Sequence, residues 1–498
     1  MSMKKIQTAL ISVFDKVGID KIASKLNENK IQIISTGGTQ KYIESLKIPV
    51  TGVESLTEYP SILGGRVKTL HPKIFGGILY RDDNRKDLEE TNKYDLPKID
   101  LVIVDLYPFE ETVKSTDDES EIIEKIDIGG VSLLRASAKN YSKTLVVSSK
   151  NNYDEFITYM EENNYSSDIK FRKIYASKAF GITSEYDSQI DNFFGVSSGE
   201  YPELRYGENP HQKAIFKGNL SKVFHKINGK DLSYNNILDI NSAISLITEF
   251  KTTSFAIIKH NNACGIASCS SVLSSYKKAL MSDPLSAFGG VLITNKKLDS
   301  ASAVEIDKLF FEVLIAPEFD KKSVEILKEK KNRIILQMNN FILEKISSKK
   351  LLGGYLQQDL DTAENKVENW NVVTEIKPSN EDYIDLEFAN KIVKHSKSNA
   401  IVLVKGNQMI SSGVGQTSRV DALKHAIEKA KTFGFTTEGS VMASDAFFPF
   451  PDCIEIAANA GIQSVVQPGG SIKDNLSIDA CNKAQISMVI TGMRHFYH

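Results

Sequence analysis

The first 150 residues alternate short apolar runs with segments of helical period. Four apolar runs have the length and composition of buried strands: 8–14, 31–35, 100–107 and 143–149. Between them, residues 20–29 and 39–47 carry apolar side chains at helical spacing. Strands that alternate with helices predict a parallel sheet, because parallel strands need crossover connections. This part of the chain is therefore predicted to have an α/β fold.

A second α/β region follows a break in the pattern. Residues 151–195 have helical spacing, and this periodicity stops near 196–201, at the start of a stretch rich in Gly, Ser and Pro that runs to residue 212. We place the domain boundary there, which predicts domains at 1–198 and 199–498. Buried strands are again predicted at 255–259, 289–294, 400–404, 439–444 and 463–467, with helices at 235–250 and 420–431.

The second region contains a faint internal repeat. A strand that leads into Lys259 and His260 resembles a strand that leads into Ser444 and Asp445, and each is followed by a helix and a Gly-Gly pair. We expect two related α/β subdomains on this basis. The stretch 295–390 is rich in Lys, Glu and Asp, and we expect it to hold helices and a solvated connecting region.

Composition and charge agree with a protein of several globular domains. The chain has 498 residues, of which 41% are hydrophobic and 25% charged, and this length predicts roughly three domains. The formal net charge of -2 offers no general attraction to nucleic acid. Four cysteines are too few for a disulfide framework, and no apolar run is long enough for a signal peptide or a membrane span. We expect a cytoplasmic protein.

A Gly-rich loop and a cationic loop suggest an anion site in the first region. Ser35, Thr36, Gly37, Gly38 and Thr39 lie between a predicted strand and a predicted helix, where N–H groups and hydroxyls could hold a phosphate. The pattern alone leaves open an ordinary turn with a hydroxyl N-cap. The loop has neither the Walker spacing nor the dinucleotide-binding spacing. The nearby loop at 64–72 adds two cations, a hydroxyl and an imidazole, which are natural partners of an anion.

The second region places polar groups at the end of a buried strand. Lys259 and His260 offer a cation and a base with a pKa near neutrality, although a hydrogen-bonded structural histidine is the simpler alternative. Cys264 is predicted to be a small buried residue rather than a nucleophile. No histidine is followed two residues later by Glu and no CxxC occurs, so a zinc deaminase site is not expected.

Taken together, the motifs resemble one enzyme family. In chain order they are ISVFDK, ISTGGT, GGRVKTLHPKIFGGIL, DLVIVDLYPF, DIGGVSLLRASAKN, LRYGENPHQ, KHNNACGIA, DPLSAFGG, SDAFFPFPD, QPGGSIKD and GMRHFYH. This set resembles the bifunctional purine-biosynthesis family in which AICAR formyltransferase is joined to IMP cyclohydrolase. The resemblance extends from Ser12 to His498.

The resemblance implies a fold, two activities and a set of partners. It implies an N-terminal IMP cyclohydrolase domain like methylglyoxal synthase, with a parallel sheet, and a C-terminal AICAR formyltransferase domain of two cytidine-deaminase-like α/β subdomains without zinc. The co-substrate would be 10-formyltetrahydrofolate, and AICAR, formyl-AICAR, IMP and reduced folate would be the small-molecule partners. The resemblance further implies a homodimer with transformylase sites between subunits, and no nucleic-acid or membrane partner. A structural potassium ion is suggested by analogy only.

The resemblance also implies site residues. For formyl transfer they are His260 for proton transfer, Lys259 for charge stabilisation or protonation of the leaving nitrogen, and Asn399 for the formyl oxygen. For ring closure, Lys68 would stabilise the oxyanion, and Tyr107, Asp127 and Lys139 would share proton transfers. Substrate-binding positions would be Ser12, Lys16, Ser35, Thr36, Gly37, Gly38, Thr39, Arg66, Thr69, Arg205, Tyr206, Asp283, Phe447, Asp452, Arg494, Phe496 and His498.

One departure and two alternatives accompany this hypothesis. Ala263 stands where the family motif leads us to expect Pro, which relaxes the backbone after Asn262. One alternative is a cyclohydrolase whose transformylase half is inactive, against which Lys259, His260, Asn399 and His498 argue. The other is a regulator that binds purine nucleotides without turnover.

Overall fold

The computed structural model describes residues 3–198, 201–340 and 345–498. The chain divides into two compact units, Met1–Glu200 and Tyr201–His498. The predicted boundary between residues 198 and 199 borders residues 199–200, which lie outside the described residues. Each unit is described separately below.

The first unit is built on a five-stranded sheet of entirely parallel strands, with a separate pair of short strands. The strands of the unit are β1 (Lys4–Lys5), β2 (Thr8–Ser12), β3 (Gln32–Ser35), β4 (Thr51–Gly52), β5 (Leu101–Val104), β6 (Leu145–Val147) and β7 (Ser166–Ser167). The sheet has the order β4-β3-β2-β5-β6, and β1 pairs separately with β7. The predicted parallel sheet is therefore confirmed.

Helices cover both faces of this sheet. They are α1 (Ile19–Glu28), α2 (Gly37–Ser45), α3 (Val53–Thr57), α4 (Pro72–Leu79), α5 (Arg85–Lys93), α6 (Phe109–Ser115), α7 (Glu119–Glu124), α8 (Gly129–Lys139), α9 (Tyr153–Glu162) and α10 (Ile169–Ser197). Ile11 and Ile33 belong to the core on one face, whereas Leu10 and Ile34 belong to the core on the other. Burial on both faces explains why these strands are continuous apolar runs in the sequence.

The second unit contains two six-stranded mixed sheets and a separate hairpin. Its strands are β8 (Phe224–Asn228), β9 (Ser254–Lys259), β10 (Asn262–Ser268), β11 (Val291–Thr294), β12 (Val313–Ala316), β13 (Ile334–Met338), β14 (Ile346–Leu351), β15 (Gly354–Asp359), β16 (Asn371–Val372), β17 (Ile401–Val404), β18 (Met409–Gly413), β19 (Val441–Ser444), β20 (Ser464–Gln467) and β21 (Ser487–Ile490). Its helices are α11 (Tyr234–Ile247), α12 (Val272–Ser282), α13 (Ser300–Ile306), α14 (Lys321–Lys328), α15 (Asn380–Lys394), α16 (Arg419–Thr432), α17 (Asp452–Asn459) and α18 (Asp474–Ala484).

The two large sheets share one strand order. Sheet I runs β10-β9-β11-β12-β13-β8, and sheet II runs β18-β17-β19-β20-β21-β16. In each, an antiparallel hairpin is followed by three mutually parallel strands and an antiparallel edge strand. The unit is therefore internally double, as the sequence suggested. The likeness of each half to cytidine deaminases stays an expectation.

The predicted correspondence between strands of the two halves was wrong. By strand order, β9, which ends at Lys259, corresponds to β17 and not to β19, which ends at Ser444. Buried strands are similar apolar runs, so their composition alone does not show which of them correspond.

The expectation for 295–390 was also wrong in part. This stretch contributes two buried strands of sheet I, Val313–Ala316 and Ile334–Met338, and the exposed hairpin Ile346–Leu351 with Gly354–Asp359. The buried strands are four and five residues long and lie among charged helices, which masked them in the composition. Within the described residues, no helix is both long and apolar enough to cross a membrane.

Candidate active sites

In the first unit, the parallel sheet gathers the predicted residues at one edge. β2 ends at Ser12, β3 ends at Ser35, and β5 ends shortly before Tyr107. Because the carboxyl ends of neighbouring parallel strands share an edge, loops that are distant in sequence meet there. This edge is the usual place for a ligand in an open α/β sheet.

The hydroxyls of the Gly-rich loop are used to hold the loop itself. The buried Ser35 hydroxyl donates to the Ile11 carbonyl oxygen at 2.7 Å. The Thr39 hydroxyl accepts the Val13 N–H at 3.1 Å and donates to the Val13 carbonyl oxygen at 2.8 Å. These bonds fasten the loop to the end of β2. Thr36 is the N-cap of α2, but its side chain makes no capping bond.

Two lysine ammonium groups lie against the start of α2. A Cβ on Gly37 would lie 2.7 Å from Lys68 Nζ, and a Cβ on Gly38 would lie 3.9 Å from Lys16 Nζ. Lys16 Nζ donates to the carbonyl oxygens of Val13 and Phe14, and burial lowers its pKa. The first N–H groups of a helix have no partner within the helix. Together with two cations they make a site suited to a phosphate.

A half-buried carboxylate lies beside this cationic site. Asp127 Oδ1 accepts the Gly130 N–H at 2.7 Å, and the Asp127 N–H donates to the Tyr186 hydroxyl at 2.9 Å. Burial raises the pKa of Asp127, while the N–H groups of Gly130 and Tyr107 and the charge of Lys68 lower it. Burial also raises the pKa of Tyr107, and the charge of Asp127 adds to that rise. The mutual effects show that the three side chains share one electrostatic environment.

The remaining predicted residues of this unit are less uniformly placed. Thr69 is buried next to α8, since a Cβ on Gly129 would lie 2.8 Å from its hydroxyl. Arg66 is exposed and forms an ion pair with Glu124. Lys139 is exposed at the last turn of α8, whereas Asp127 precedes the first turn, so about 15 Å of helix separates them. The structure therefore does not bring Lys139 to the cluster.

In the second unit, a tight turn links the two halves. Lys259 and Asn262 are register partners, and His260 lies exposed in the turn between them. Lys259 Nζ donates to the Phe288 carbonyl oxygen at 2.7 Å. Asn262 Oδ1 accepts the Lys397 N–H at 3.0 Å, which joins this turn to the loop before β17.

Asn399 lies in that same loop and is held by an arginine. Its side-chain amide donates to the Gln416 carbonyl oxygen at 3.0 Å, and its Oδ1 accepts from Arg419 at 2.9 Å. Arg419 also contacts Asp445 Oδ1 at 2.6 Å and the Ser444 hydroxyl at 2.9 Å. Asn399 is thus positioned from several sides close to the Lys259–His260 turn.

The C-terminal tail runs along the Asn399 loop. The Ser398 N–H donates to the Tyr497 carbonyl oxygen at 2.9 Å, and the Tyr497 N–H donates back to the Ser398 hydroxyl at 3.2 Å. Arg494, Phe496 and His498 are exposed on this tail, with the Arg494 guanidinium 4.4 Å from the centre of the Phe496 ring. The tail therefore offers a cation and two rings beside Asn399.

Two further predicted groups flank these elements. Arg205 contacts Asn236 at the start of α11 at 3.4 Å and lies 5.3 Å from the Tyr206 ring centre. Phe447 and Asp452 lie in and after the loop that follows β19, with Asp452 as the first residue of α17. All four side chains are at least partly exposed.

Asp283 and Cys264 are buried, and their side chains contact other residues of the protein. Asp283 is buried, pairs with Lys429 at 2.7 Å and accepts the Ser286 N–H at 2.8 Å. Its carboxylate therefore joins the two halves, and a contact with substrate stays a prediction. Cys264 is buried, and burial raises the pKa of its thiol to about 12, which does not suit a nucleophile. No cluster of three His, Cys, Asp or Glu suited to a metal ion occurs among the described residues.

Three residues at this site had not been identified from the sequence. Asp239 of α11 accepts the Asn261 N–H at 2.6 Å, Arg419 holds Asn399, and the exposed Phe288 borders Lys259. For Asp239, a single charged residue within an otherwise uncharged helix was the available signal.

Comparisons with known proteins agree with this arrangement. Residues 137–429 match the family model of the AICARFT/IMPCHase bienzyme, and residues 18–132 match that of the MGS-like domain. The chain is similar to three proteins named bifunctional purine biosynthesis protein PurH. That of Bacteroides thetaiotaomicron is 56% identical, with 99% of each chain covered. Those of Aquifex aeolicus and Acetivibrio thermocellus are 45% and 44% identical, with 98% and 99% of this chain and all of theirs covered.

Proposed function

Because this chain belongs to the AICARFT/IMPCHase bienzyme family, we propose that it converts AICAR to IMP in two steps. In the first, 10-formyltetrahydrofolate formylates AICAR, and in the second, formyl-AICAR closes to IMP with loss of water. The observation that carries the proposal is the hydrogen bond between Asn262 and Lys397. It holds the turn with Lys259 and His260 beside the loop with Asn399, which supports a shared role for these residues.

Formyl transfer needs catalysis at the nucleophile, because the lone pair of the AICAR amine is delocalised into the ring and the amine is a weak nucleophile. The amine nitrogen attacks the formyl carbon, and the exposed imidazole of His260 takes the proton that the nitrogen loses. Lys259 lies one residue away and supplies the positive charge or the proton for the departing folate nitrogen. Asn399 holds the formyl oxygen as its charge develops. Tetrahydrofolate and formyl-AICAR are the products.

Nucleotide and folate would be held by the side chains that surround this turn. Arg205, with Tyr206, and the tail residues Arg494, Phe496 and His498 are exposed and suited to a phosphate and a purine precursor. Phe447 and Asp452 are assigned to the folate.

Ring closure is assigned to the first unit. The 5'-phosphate would bind at the start of α2, beside Lys16 and Lys68. The carboxamide nitrogen attacks the formyl carbon, and Lys68 stabilises the oxygen on which charge develops. Asp127 takes one carboxamide proton and returns it to the alkoxide oxygen, which gives a carbinol. Tyr107 then protonates the hydroxyl, which leaves as water as the ring C=N bond forms, and the proton lost by the former formamide nitrogen replaces the one that Tyr107 gave up. We assign no step to Lys139 in this scheme, because it is exposed at the last turn of α8.

We further propose a cytoplasmic homodimer. Phe288 is exposed beside Lys259, with Leu285 and Phe310 nearby, and a second copy would cover this apolar surface. Sedimentation analysis tests the dimer. Among the described residues a potassium ion would find only one buried oxygen without a partner near Asn399, Asp445 Oδ2, so no reaction step is assigned to it.

A single assay tests the two activities together. AICAR and 10-formyltetrahydrofolate are supplied, and tetrahydrofolate and IMP are followed separately. Both should form. If IMP forms from added formyl-AICAR but no tetrahydrofolate is released, the chain is a cyclohydrolase only. If nucleotide binds saturably but neither product forms, the chain is a regulator.

Two variants should separate the activities. His260→Ala should abolish formyl transfer and leave closure of added formyl-AICAR intact. Lys68→Ala should let formyl-AICAR accumulate, because oxyanion stabilisation contributes roughly 10²–10³-fold to kcat. Loss of both activities in either folded variant would contradict two separate sites.

A further inference from the structure

The turn that carries His260 has a backbone conformation unusual for histidine. His260 and Asn261 both have positive φ, 53° and 64°, between the register partners Lys259 and Asn262. Two consecutive residues with positive φ form the tight hairpin turn that favours Gly and Asn. Asn261 suits this turn. His260 suits it less well than glycine would, because a Cβ disfavours the left-handed region.

The second half of the unit contains the same turn with glycine in place of histidine. Gly406 and Asn407 have φ of 61° and 54° between β17 and β18, the strands that correspond to β9 and β10. Lys-His-Asn in the first half thus corresponds to Lys-Gly-Asn in the second. The second half shows what this turn contains when no imidazole is needed.

An aspartate on the preceding helix holds each turn. Asp239 Oδ1 accepts the Asn261 N–H at 2.6 Å, and Asp385 Oδ1 accepts the Asn407 N–H at 2.7 Å, each across 22 residues. Asp385 Oδ2 also accepts the Gly406 N–H at 2.7 Å. The two helices α11 and α15 begin alike, with a capping box at Ser233 and at Ser379.

We propose that Asp239 is a positioning residue for formyl transfer, because it holds the turn that presents His260. The proposal rests on the proposed function. Asp239 acts through backbone N–H groups and touches neither substrate nor reacting atoms. In the second half the same contact holds a turn that glycine already favours. In the first half it secures a histidine in a conformation that histidine would otherwise leave.

The contacts of Asp239 support this role. Its carboxylate accepts the Asn261 N–H of the turn, and the side chains of His260 and Lys259 are near enough to act on it electrostatically. Burial raises the pKa of Asp239, and the N–H groups of Asn261 and His260 are among the contacts that lower it. The bonds from the turn are thus part of what keeps this carboxylate in place.

The experiment compares Asp239→Ala and Asp239→Asn with the matched control Asp385→Ala in the full chain. We expect Asp239→Ala to lower kcat for formyl transfer roughly 10- to 100-fold, since small misplacements of a reacting group have costs of this size. The KM for AICAR should change less than about 3-fold, because ground-state binding is untouched. Asp239→Asn keeps an oxygen acceptor and should restore kcat to within about 3-fold of the parent.

The control and the failure cases are distinct. Asp385→Ala should leave kcat within about 2-fold of the parent, although it removes the equivalent bonds. Equal loss of kcat in Asp239→Ala and Asp385→Ala would show that both contacts serve only the general stability of the fold, and it would overturn the proposal. Failure of Asp239→Asn to restore activity would point to the carboxylate charge instead and would also overturn it.

A stability measurement keeps the test independent of activity. His260→Gly should raise the melting temperature of the Asp239→Ala chain by more than it raises that of the parent, because glycine tolerates the freed turn. If Asp239→Ala does not fold, adding His260→Gly should restore folding. Additive effects, or no restoration, would refute the positioning role. A parent chain without tetrahydrofolate release would instead refute the proposed function.

Discussion

Gly37→Ala tests whether the position of Lys68 controls ring closure. Gly37 is the first residue of α2 and has a φ of +55°. A Cβ at this position would lie 2.7 Å from Lys68 Nζ, closer than real contacts allow. The ammonium is at the end of a flexible side chain, so it can move. The substitution should therefore displace the charge without disrupting the fold.

The size of the effect follows from these distances. Ordinary contact begins at 3.4 Å, so Nζ must retreat from 2.7 Å by about 0.7 Å. A misplacement of about 1 Å at a reacting group can lower a rate by about 10²-fold. The left-handed conformation of Gly37 should cost an alanine a further 1–2 kcal/mol of stability, roughly. Both effects are measurable in one variant, and only the first acts on catalysis.

The assay follows IMP formation from added formyl-AICAR, together with thermal unfolding. Gly64→Ala is the matched control, because Gly64 has a φ of +66° and its Cβ would meet nothing within 4 Å. Both variants should lose similar stability. Gly37→Ala should lose more than about tenfold in kcat, whereas Gly64→Ala should stay within about threefold of the parent. An equal loss of kcat in the two variants would show that strain, and not displacement of Lys68, controls the rate.

Three further predictions concern pH and packing. Burial raises the pKa of Asp127 above its ordinary value of 3.8, so cyclohydrolase activity should fall on the acid side of that raised pKa, where the base becomes protonated. Asp127→Asn should remove this acid limb from the pH profile and lower kcat roughly 10²–10⁴-fold. Burial raises the pKa of Glu249, but hydrogen bonds from His395 and Lys394 outweigh it and lower the pKa to about 2 from the ordinary 4.5. The stabilisation of the folded protein by the ionised Glu249 carboxylate is present above pH 4.5 and is lost as the pH falls toward 2. Glu249→Gln should therefore lower the free energy of unfolding by up to about 3 kcal/mol at pH 7 and by less at pH 3. Gly413→Ala should cost about 3 kcal/mol in thermal or denaturant unfolding, because its Cβ would lie 1.9 Å from a backbone oxygen of α16.

The sequence was sufficient where a pattern reports burial directly. The strand at Leu101–Val104 is an uninterrupted apolar run because both faces of its parallel sheet are covered. It was insufficient where burial depends on neighbours. The strand at Val313–Ala316 is equally buried, but its four residues lie among charged helices, and only sheet pairing distinguishes it.

Side-chain roles were harder to predict than side-chain location. Ser35 and Thr39 lie in the expected loop, yet their hydroxyls bond to the backbone of Ile11 in β2 and of Val13 just after it. N–H groups and lysines are therefore left to bind an anion. Composition does not reveal which partner a hydroxyl selects. Asp239 was missed for a related reason, because its partner is a backbone N–H that any residue except proline would supply at position 261.

The difference between the two halves of the second unit explains where its chemistry lies. Both halves use the same hairpin, helix and aspartate, so these elements alone do not distinguish the half that carries the imidazole. Where they diverge, the first half has His260 and the second has Gly406. The second half contributes instead Asn399, at the entry to its own hairpin, and the bond from Lys397 to Asn262 brings the two contributions together. On the proposed assignment, neither half alone contains the groups that formyl transfer requires, so either half produced on its own should lack this activity even if it folds.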